Sequence, residues 1–209
     1  AKQLAIYNEQ QSGITAGKII GWLEEGKNVA LVSDAGTPGI SDPGAMLIQK
    51  VREYFTNAES PRSDLESAER SDLTEPVMIT SVPGPSALTA ALSVAGVPVH
   101  DFVFLGFLPH KKGRETLFKE IAASERAVIF YESPHRILKT LKSLQAHLQG
   151  STLSGKKVEP LRQKRVVIAR ELTKIHEEVK SGTAAELLEF FRVNPQKVRG
   201  ECVIIVAQN

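Results

Sequence analysis

The sequence predicts an α/β fold, and three observations predict it. Apolar runs rich in β-branched residues recur along the chain, as in VALV (29–32), VMITSV (77–82), AVIFY (127–131) and VVIA (166–169). The first three run into loops with the punctuation of a helix start: SDAGTPGISDPG, PGPSA and ESPHR. Helical patterns of apolar residues follow those loops, giving the strand, loop and helix order of an open sheet. Such sheets bind ligands beyond the C-terminal ends of their strands, so these junctions are where chemistry is sought.

Composition limits the reading before any element is placed. At 209 residues, 42% hydrophobic and 24% charged, the chain can bury a sizeable core as one large or two small domains. The sequence shows no apolar run of membrane-spanning length and no signal-peptide pattern, so a soluble, cytoplasmic protein is expected. The single cysteine, Cys202, sits in the apolar run CVIIVA and reads as a buried strand thiol. Net charge is only +2, yet its distribution is uneven. Up to His100 there are 7 basic and 12 acidic residues, and beyond it 19 basic and 12 acidic. The second half therefore suits a polyanion, against the ordinary alternative of a solvated surface.

In chain order, KQLAIYN (2–8) reads as a short strand and residues 13–25 as a helix, with Ser12 before it and Gly26 after it. Val29–Val32 is a buried strand that delivers Asp34 into a loop holding Gly36, Pro38 and Gly39. Asp42 and Pro43 read as N-cap and first helical residue of a helix that continues through Leu47, Ile48, Val51 and Phe55. Residues 57–76 carry six acids, two arginines, four serines and no aromatic residue, which marks a surface insertion. After the strand 77–82, Pro83 to Ser86 open a small, Ala-rich helix stopped by Gly96; Ser86 is either a plain cap or one that faces a ligand. VPVHD (97–101) is a linker, and the domain boundary is placed there.

Phe102–Phe107 is the next strand, ending in Pro109 and the cluster His110, Lys111, Lys112 and Arg114. These cations suit a phosphate backbone, with a solvated loop as the equal alternative. A helix through Leu117, Ile121 and Ala122 and a strand over Ala127–Tyr131 follow. Ser133 and Pro134 read as N-cap and first helical residue, which groups Glu132, His135 and Arg136 at a strand-to-helix junction, either as a site or as a structural Glu–Arg pair. Residues 149–165 are a second, basic insertion. The strand 166–174 ends in Arg170, Glu171 and Lys174, and HEEVKSGT adds a short strand and turn. Thr183 with Glu186 forms a capping box for a helix containing Leu187, Leu188 and Phe191, and CVIIVA is the last strand. No spacing supports metal ligation.

The strings SDAGTPGISDPG, PGPSA, GFLPHKKGR, FYESPHR, ARELTK with the following HEE, and the closing GE before an apolar strand occur here in one order. In that order they resemble the bacterial family of small-subunit ribosomal RNA 2′-O-ribose (cytidine) methyltransferases. That family belongs to the tetrapyrrole-methylase-like (class III) superfamily of S-adenosylmethionine-dependent methyltransferases. The resemblance implies two α/β domains, 1–98 and 102–209, with the cofactor in the cleft between them. It implies S-adenosyl-L-methionine contacts at Asp34, Ala35, Gly36, Ile40, Ser41, Ser86 and Ala87. From the second domain it adds Gly106, Phe107, Leu108, Arg170, Glu171, Leu172, Gly200 and Glu201. Lys111, Lys112, Arg114 and Arg136 would hold phosphates of the small-subunit ribosomal RNA, free or in the assembled subunit. Glu132 and His135 are the candidate general bases by strand-end position, with Lys174 a third if it is buried. A homodimer is implied as well. The family's opening strand and TPIGNL-type loop have no counterpart here, so the resemblance implies an N-terminally truncated first domain, and the family's His-rich string before the first Asn-Glu is shortened to IYNEQ, with Asn8 and Glu9 its only matches. Two rivals stand beside this reading: a porphyrin-precursor methylase, and a catalytically silent RNA-binding or dimerising fragment.

Overall fold

The computed structural model describes residues 3–8, 12–58, 77–148 and 164–208. Two compact units divide between Pro85 and Ser86. The division falls ahead of the expected linker at 97–101, because the Ala-rich helix after Ser86 belongs to the second unit's core. Its Ala91 and Ala95 pack on Ala127, Ala169 and Ala207, where the small side chains let helix and sheet approach closely.

The first unit holds helices α1 (Ser12–Glu24) and α2 (Gly44–Ala58). Ala16 and Ile19 of α1 meet Leu47, Val51 and Phe55 of α2, positions spaced to share one face of each helix. Thr15 donates its hydroxyl to the carbonyl of Ile6 at 3.2 Å, and the Tyr54 hydroxyl donates to Glu24 at 2.5 Å. The three segments expected as strands here (2–8, 29–32 and 77–82) form no strand ladder among the described residues. Their described residues are mostly exposed. Leu31, Val77 and Ile79 pack on the helices, while Leu4, Ile6, Val32, Met78 and Val82 face outward, each at least 78% exposed. Period-two alternation of burial is visible only over 77–80, and the described residues lack the interstrand pairing that would make these segments a sheet.

The second unit is an α/β layer structure around one five-stranded sheet. Its elements are α3 (Ala87–Val94), β1 (Phe102–Phe107), α4 (Arg114–Ala123), β2 (Ala127–Glu132), α5 (Ile137–Leu148), β3 (Lys164–Arg170), β4 (Glu178–Gly182), α6 (Ala184–Val193), a short 3₁₀ turn at Pro195–Lys197, and β5 (Cys202–Gln208). The strand order is β1-β2-β5-β3-β4, with β1 parallel to β2 and every other pairing antiparallel. Alternate residues serve opposite faces. Val128, Phe130, Val166, Ile168, Ile204 and Val206 meet α4, α5 and α6, while Ile129, Val167, Val203 and Ile205 meet α3.

One helix start and one buried lysine differ from expectation. Ser133 and Pro134 form a turn, closed by the Arg136 N–H donating to the Ser133 carbonyl at 3.0 Å, and α5 begins three residues beyond Pro134. Lys164, expected on a basic surface insertion, is buried at the start of β3. Its ammonium donates to the carbonyls of Ile121 and Ser124, satisfying the C-terminal end of α4 from 40 residues away. The remainder of the 149–165 insertion apart from Arg165, and of the 57–76 insertion apart from residues 57 and 58, lies outside the described residues, as does Glu9.

Candidate active site

On the first unit the loop 33–44 is folded by its own polar groups. The Ser33 hydroxyl donates to the carbonyl of Gly36 at 2.9 Å, and Thr37 donates to that of Pro85 at 3.0 Å, tying the loop to the 83–85 turn. Asp42 caps as expected, its carboxylate accepting from the Gly44 N–H at 3.0 Å, although α2 begins at Gly44 rather than Pro43. Gly44 is confined between Leu31, Asp42 and Gly39, with no room for a larger side chain. The consequence is a loop with a fixed base whose tip, including Asp34, Ala35, Gly36, Ile40 and Ser41, is exposed. Ser41 holds a φ of 55°, a left-handed conformation that costs a residue with a side chain about 1 kcal/mol or more.

On the second unit, the C-terminal ends of β1 and β2 and the start of α3 meet. Ser86 is the N-cap of α3, accepting from the Thr89 N–H, and so acts at least as the plain cap. The β1–β2 register slips between Phe104 and Phe107, where Gly106 takes a φ of 61°. This is a bulge, which re-aims the chain at the strand's end. Phe104 and Phe107 both contact the Tyr131 ring, at centroid distances of 5.0 and 5.3 Å, and Leu88 and Leu172 pack on the same cluster. Burial pushes the Tyr131 phenol above its ordinary value, the Glu201 carboxylate adds to that rise, and a hydrogen bond with the backbone of Leu88 opposes it. Tyr131 and Phe104 were not among the expected site residues. The string FYESPHR contained Tyr131, but only the fold brings it to Leu88 and Glu201.

The junction after β2 is built around Glu132, which is fully buried. One carboxylate oxygen accepts from the Ser133 N–H at 2.9 Å and pairs with Arg136 Nε at 2.7 Å. The other accepts from Arg114 Nη2 at 3.0 Å and from the Thr140 hydroxyl at 2.5 Å. Three hydrogen bonds, the Arg136 ion pair and complete burial turn this carboxylate inward, with no face toward a substrate. The general-base reading of Glu132 is therefore set aside. Arg114 and Arg136 are likewise turned inward, with side chains 5% and 16% exposed. Arg114 donates to the carbonyl of Pro109 and Arg136 to that of Leu108, each at 2.9 Å, so the phosphate-binding reading of these two gives way to an internal one. Lys111, Lys112, His110 and His135 are exposed.

After β3, Arg170 is buried and its Nε pairs with Glu178 at 2.9 Å, so its charge is met inside the fold. Lys197 also pairs with Glu178. Burial alone would raise the Glu178 carboxyl, but hydrogen bonds from Lys197 and Arg170 outweigh it and hold the group below the usual carboxylate range. The following loop is compact. Glu177 accepts from the Thr173 N–H at 2.6 Å, and Lys174 pairs with Glu171 at 3.1 Å. Glu171 and Thr173 both take left-handed φ values, 51° and 63°. Gly200 lies so close to Glu171 that a β-carbon there would sit 2.0 Å from its carboxylate. Lys174 is 64% exposed, not buried as its role as base would require. Cys202 is buried, as expected, and its thiol is pushed up to about 12, chiefly by that burial. Among the described residues no cluster of three or more acidic, histidine or cysteine side chains is placed to hold a metal.

Comparison with known proteins places this geometry. The profile of the tetrapyrrole (corrin/porphyrin) methylases matches residues 18–188. The ribosomal RNA small subunit methyltransferase I of Thermotoga maritima is 36% identical over 206 residues, covering 99% of this chain and 77% of that protein. That of Pseudomonas aeruginosa is 36% identical over 202 residues, covering 96% of this chain and 59% of that protein. The chain thus spans about three quarters of one relative and three fifths of the other. Among solved structures, the methyltransferase CobJ aligns with a TM-score of 0.57 at 21% identity, over 92% of this chain and 70% of that one. The uroporphyrin-III C-methyl transferase of Thermus thermophilus, complexed with S-adenyl homocysteine, aligns with a TM-score of 0.51 at 12% identity, over 97% and 75%. These two likenesses establish the fold alone, whereas the sequence relatives and the profile reach further: the chain belongs to the tetrapyrrole (corrin/porphyrin) methylase family and, within it, to the ribosomal RNA small subunit methyltransferase I proteins.

Proposed function

We propose that this chain is an S-adenosylmethionine-dependent methyltransferase that modifies the 2′-hydroxyl of a cytidine ribose in small-subunit ribosomal RNA, working in the cytoplasm as a homodimer. The observation that carries the reading is where backbone strain falls. The three non-glycine residues with left-handed φ among the described residues are Ser41, Glu171 and Thr173. Two of them are cofactor positions implied by the family motifs and the third is two residues from one. Strain kept in place at motif residues points to a site.

The residues fit the cofactor. An adenosyl group needs an apolar face for its base and hydrogen-bonding groups for its ribose. Leu88, Phe104, Tyr131 and Leu172 supply such a face on the second unit, beside the bulge at Gly106. The exposed Asp34, Gly36 and Ser41 loop supplies polar groups on the first. When bound, S-adenosylmethionine would supply an electrophilic methyl carbon on a sulfonium, to which the ribose oxygen would bond as the neutral thioether leaves. Charge disperses in that step, so alignment matters more than strong electrostatic clamps, and it can supply on the order of 7–11 kcal/mol. The chain's own contribution is then to fix both partners and to remove the hydroxyl proton. With Glu132 buried and ion-paired and Lys174 exposed and paired, His135, exposed on the turn after β2, is the base in this reading. Lys111 and Lys112 meet the RNA backbone.

The test is transfer of a labelled methyl group to small ribosomal subunits lacking the modification, with nuclease digestion of the product. Label in 2′-O-methylcytidine is expected, and His135→Ala should lower kcat by about 10²-fold or more. Label on a porphyrin precursor and none on RNA would refute the reading.

A further inference from the structure

The Glu132 cluster has a feature that neither a base nor a simple salt bridge requires. Two arginines from different elements, Arg114 at the start of α4 and Arg136 before α5, converge on one carboxylate. Each also donates to a backbone carbonyl, and the two carbonyls, of Leu108 and Pro109, are consecutive in one loop. Thr140 closes the arrangement, its hydroxyl donating to Glu132 and accepting from Arg114 at 2.6 Å. That loop connects the bulge at Gly106 to Lys111 and Lys112, which are exposed, and ends in the left-handed Gly113 ahead of α4.

We propose that Glu132 is a positioning residue for RNA: through Arg114 and Arg136 it clamps the Leu108–Pro109 carbonyls and thereby sets the loop that presents Lys111 and Lys112 to the phosphate backbone. The inference rests on the RNA methyltransferase reading for its substrate, but not for the clamp itself. The physical basis is the charge balance. One buried carboxylate holds two guanidiniums, Arg114 buried and Arg136 partly so, and removing its charge leaves both without that counter-charge at a site largely shielded from water. They relieve this by turning toward solvent, which releases the two carbonyls and frees the loop. An exposed lysine on a loose loop must be ordered upon binding, so RNA affinity falls while the chemical step keeps its geometry.

The experiment compares Glu132→Gln, Arg136→Lys, the double variant Lys111→Ala/Lys112→Ala, and the combination of Glu132→Gln with that double variant. Arg136→Lys keeps the charge but cannot span Glu132 and the Leu108 carbonyl together, and it serves if Glu132→Gln does not fold. Limited trypsin digestion should show faster cleavage after Lys111 and Lys112 in both hub variants, with unchanged cleavage at Lys119, Lys139 and Lys142, which a general loss of stability would also expose. In methyl transfer to small ribosomal subunits, Glu132→Gln should raise KM for the subunit on the order of tenfold with kcat little changed, and adding the lysine substitutions should raise it no further. The salt dependence of binding should weaken by the same amount in Glu132→Gln as in the lysine variant, roughly 0.7–0.9 in logarithmic slope per lost phosphate contact. Effects of the hub and the lysines that multiply, a kcat loss without a KM change, or loop cleavage unchanged in both hub variants would each overturn the proposal. A chain that neither binds nor methylates RNA would instead defeat the functional reading, with the trypsin result still deciding whether the clamp exists.

Discussion

At the scale of single residues, the contact between Gly200 and Glu171 makes the sharpest prediction. Gly200 holds a φ of 68°, and a β-carbon there would meet the Glu171 carboxylate at 2.0 Å. The carboxylate can swing aside by losing its pairing with Lys174, but the left-handed backbone at Gly200 remains to strain any side chain there. Gly200→Ala should therefore cost about 1–3 kcal/mol of stability in urea unfolding, most of it strain. The residue types at such positions were legible in the sequence, since GE before an apolar strand was marked as a motif. Their partners were not. Glu132, Arg114 and Arg136 read equally well as base, phosphate ligands or a structural pair, because sequence gives neither burial nor the 18-residue reach from Arg114 to Glu132.

At the scale of elements, local chemistry was the most readable. Thr183 and Glu186 form the full capping box anticipated from their spacing, with Glu186 also accepting from the Thr183 N–H at 2.8 Å. Thr183→Ala should lower stability by about 1 kcal/mol, measured by chemical denaturation. Ser133 and Pro134 looked like an equally good start and were not one, because Arg136 must reach back to Glu132 and Leu108 before α5 can begin. The junction between β3, β4 and the Pro195–Lys197 turn carries a pH prediction. Glu178 gives up its proton more readily in the folded chain than in the unfolded one, held so by Lys197 and Arg170 against the effect of burial. Below its ordinary value of 4.5 the unfolded chain takes up that proton more readily, which favours unfolding. Its stabilisation is thus complete above that pH and is lost as pH falls through the lowered folded value. Glu178→Gln should be less stable than the unsubstituted chain at neutral pH, and the gap should narrow as the solution is acidified below about pH 4.5.

At the scale of the molecule, the two units differ in how far their sequences determine them. The second unit's strands carry apolar residues on both faces and form a sheet covered on both sides, and the runs AVIFY and CVIIVA are strands in it as expected. The first unit's runs are as apolar, yet they stay unladdered and mostly exposed, with Val32, Met78 and Val82 outward. Periodicity records which side chains want burial; it does not supply the pairing partner. No described helix is long and apolar enough to cross a membrane. Of the second half's cations, Lys111 and Lys112 are exposed, while Arg114, Arg136, Lys164 and Arg170 spend their charges inside the fold.

The central claim is that this chain binds S-adenosylmethionine. Calorimetric titration of the chain with S-adenosylmethionine tests it most directly, run beside Asp34→Ala and the apolar-face variant Phe104→Ala. Saturable one-to-one binding, weakened about tenfold or more in both variants without loss of fold, is the predicted result. Absence of binding by the folded, unsubstituted chain, or binding indifferent to both substitutions, would contradict the account.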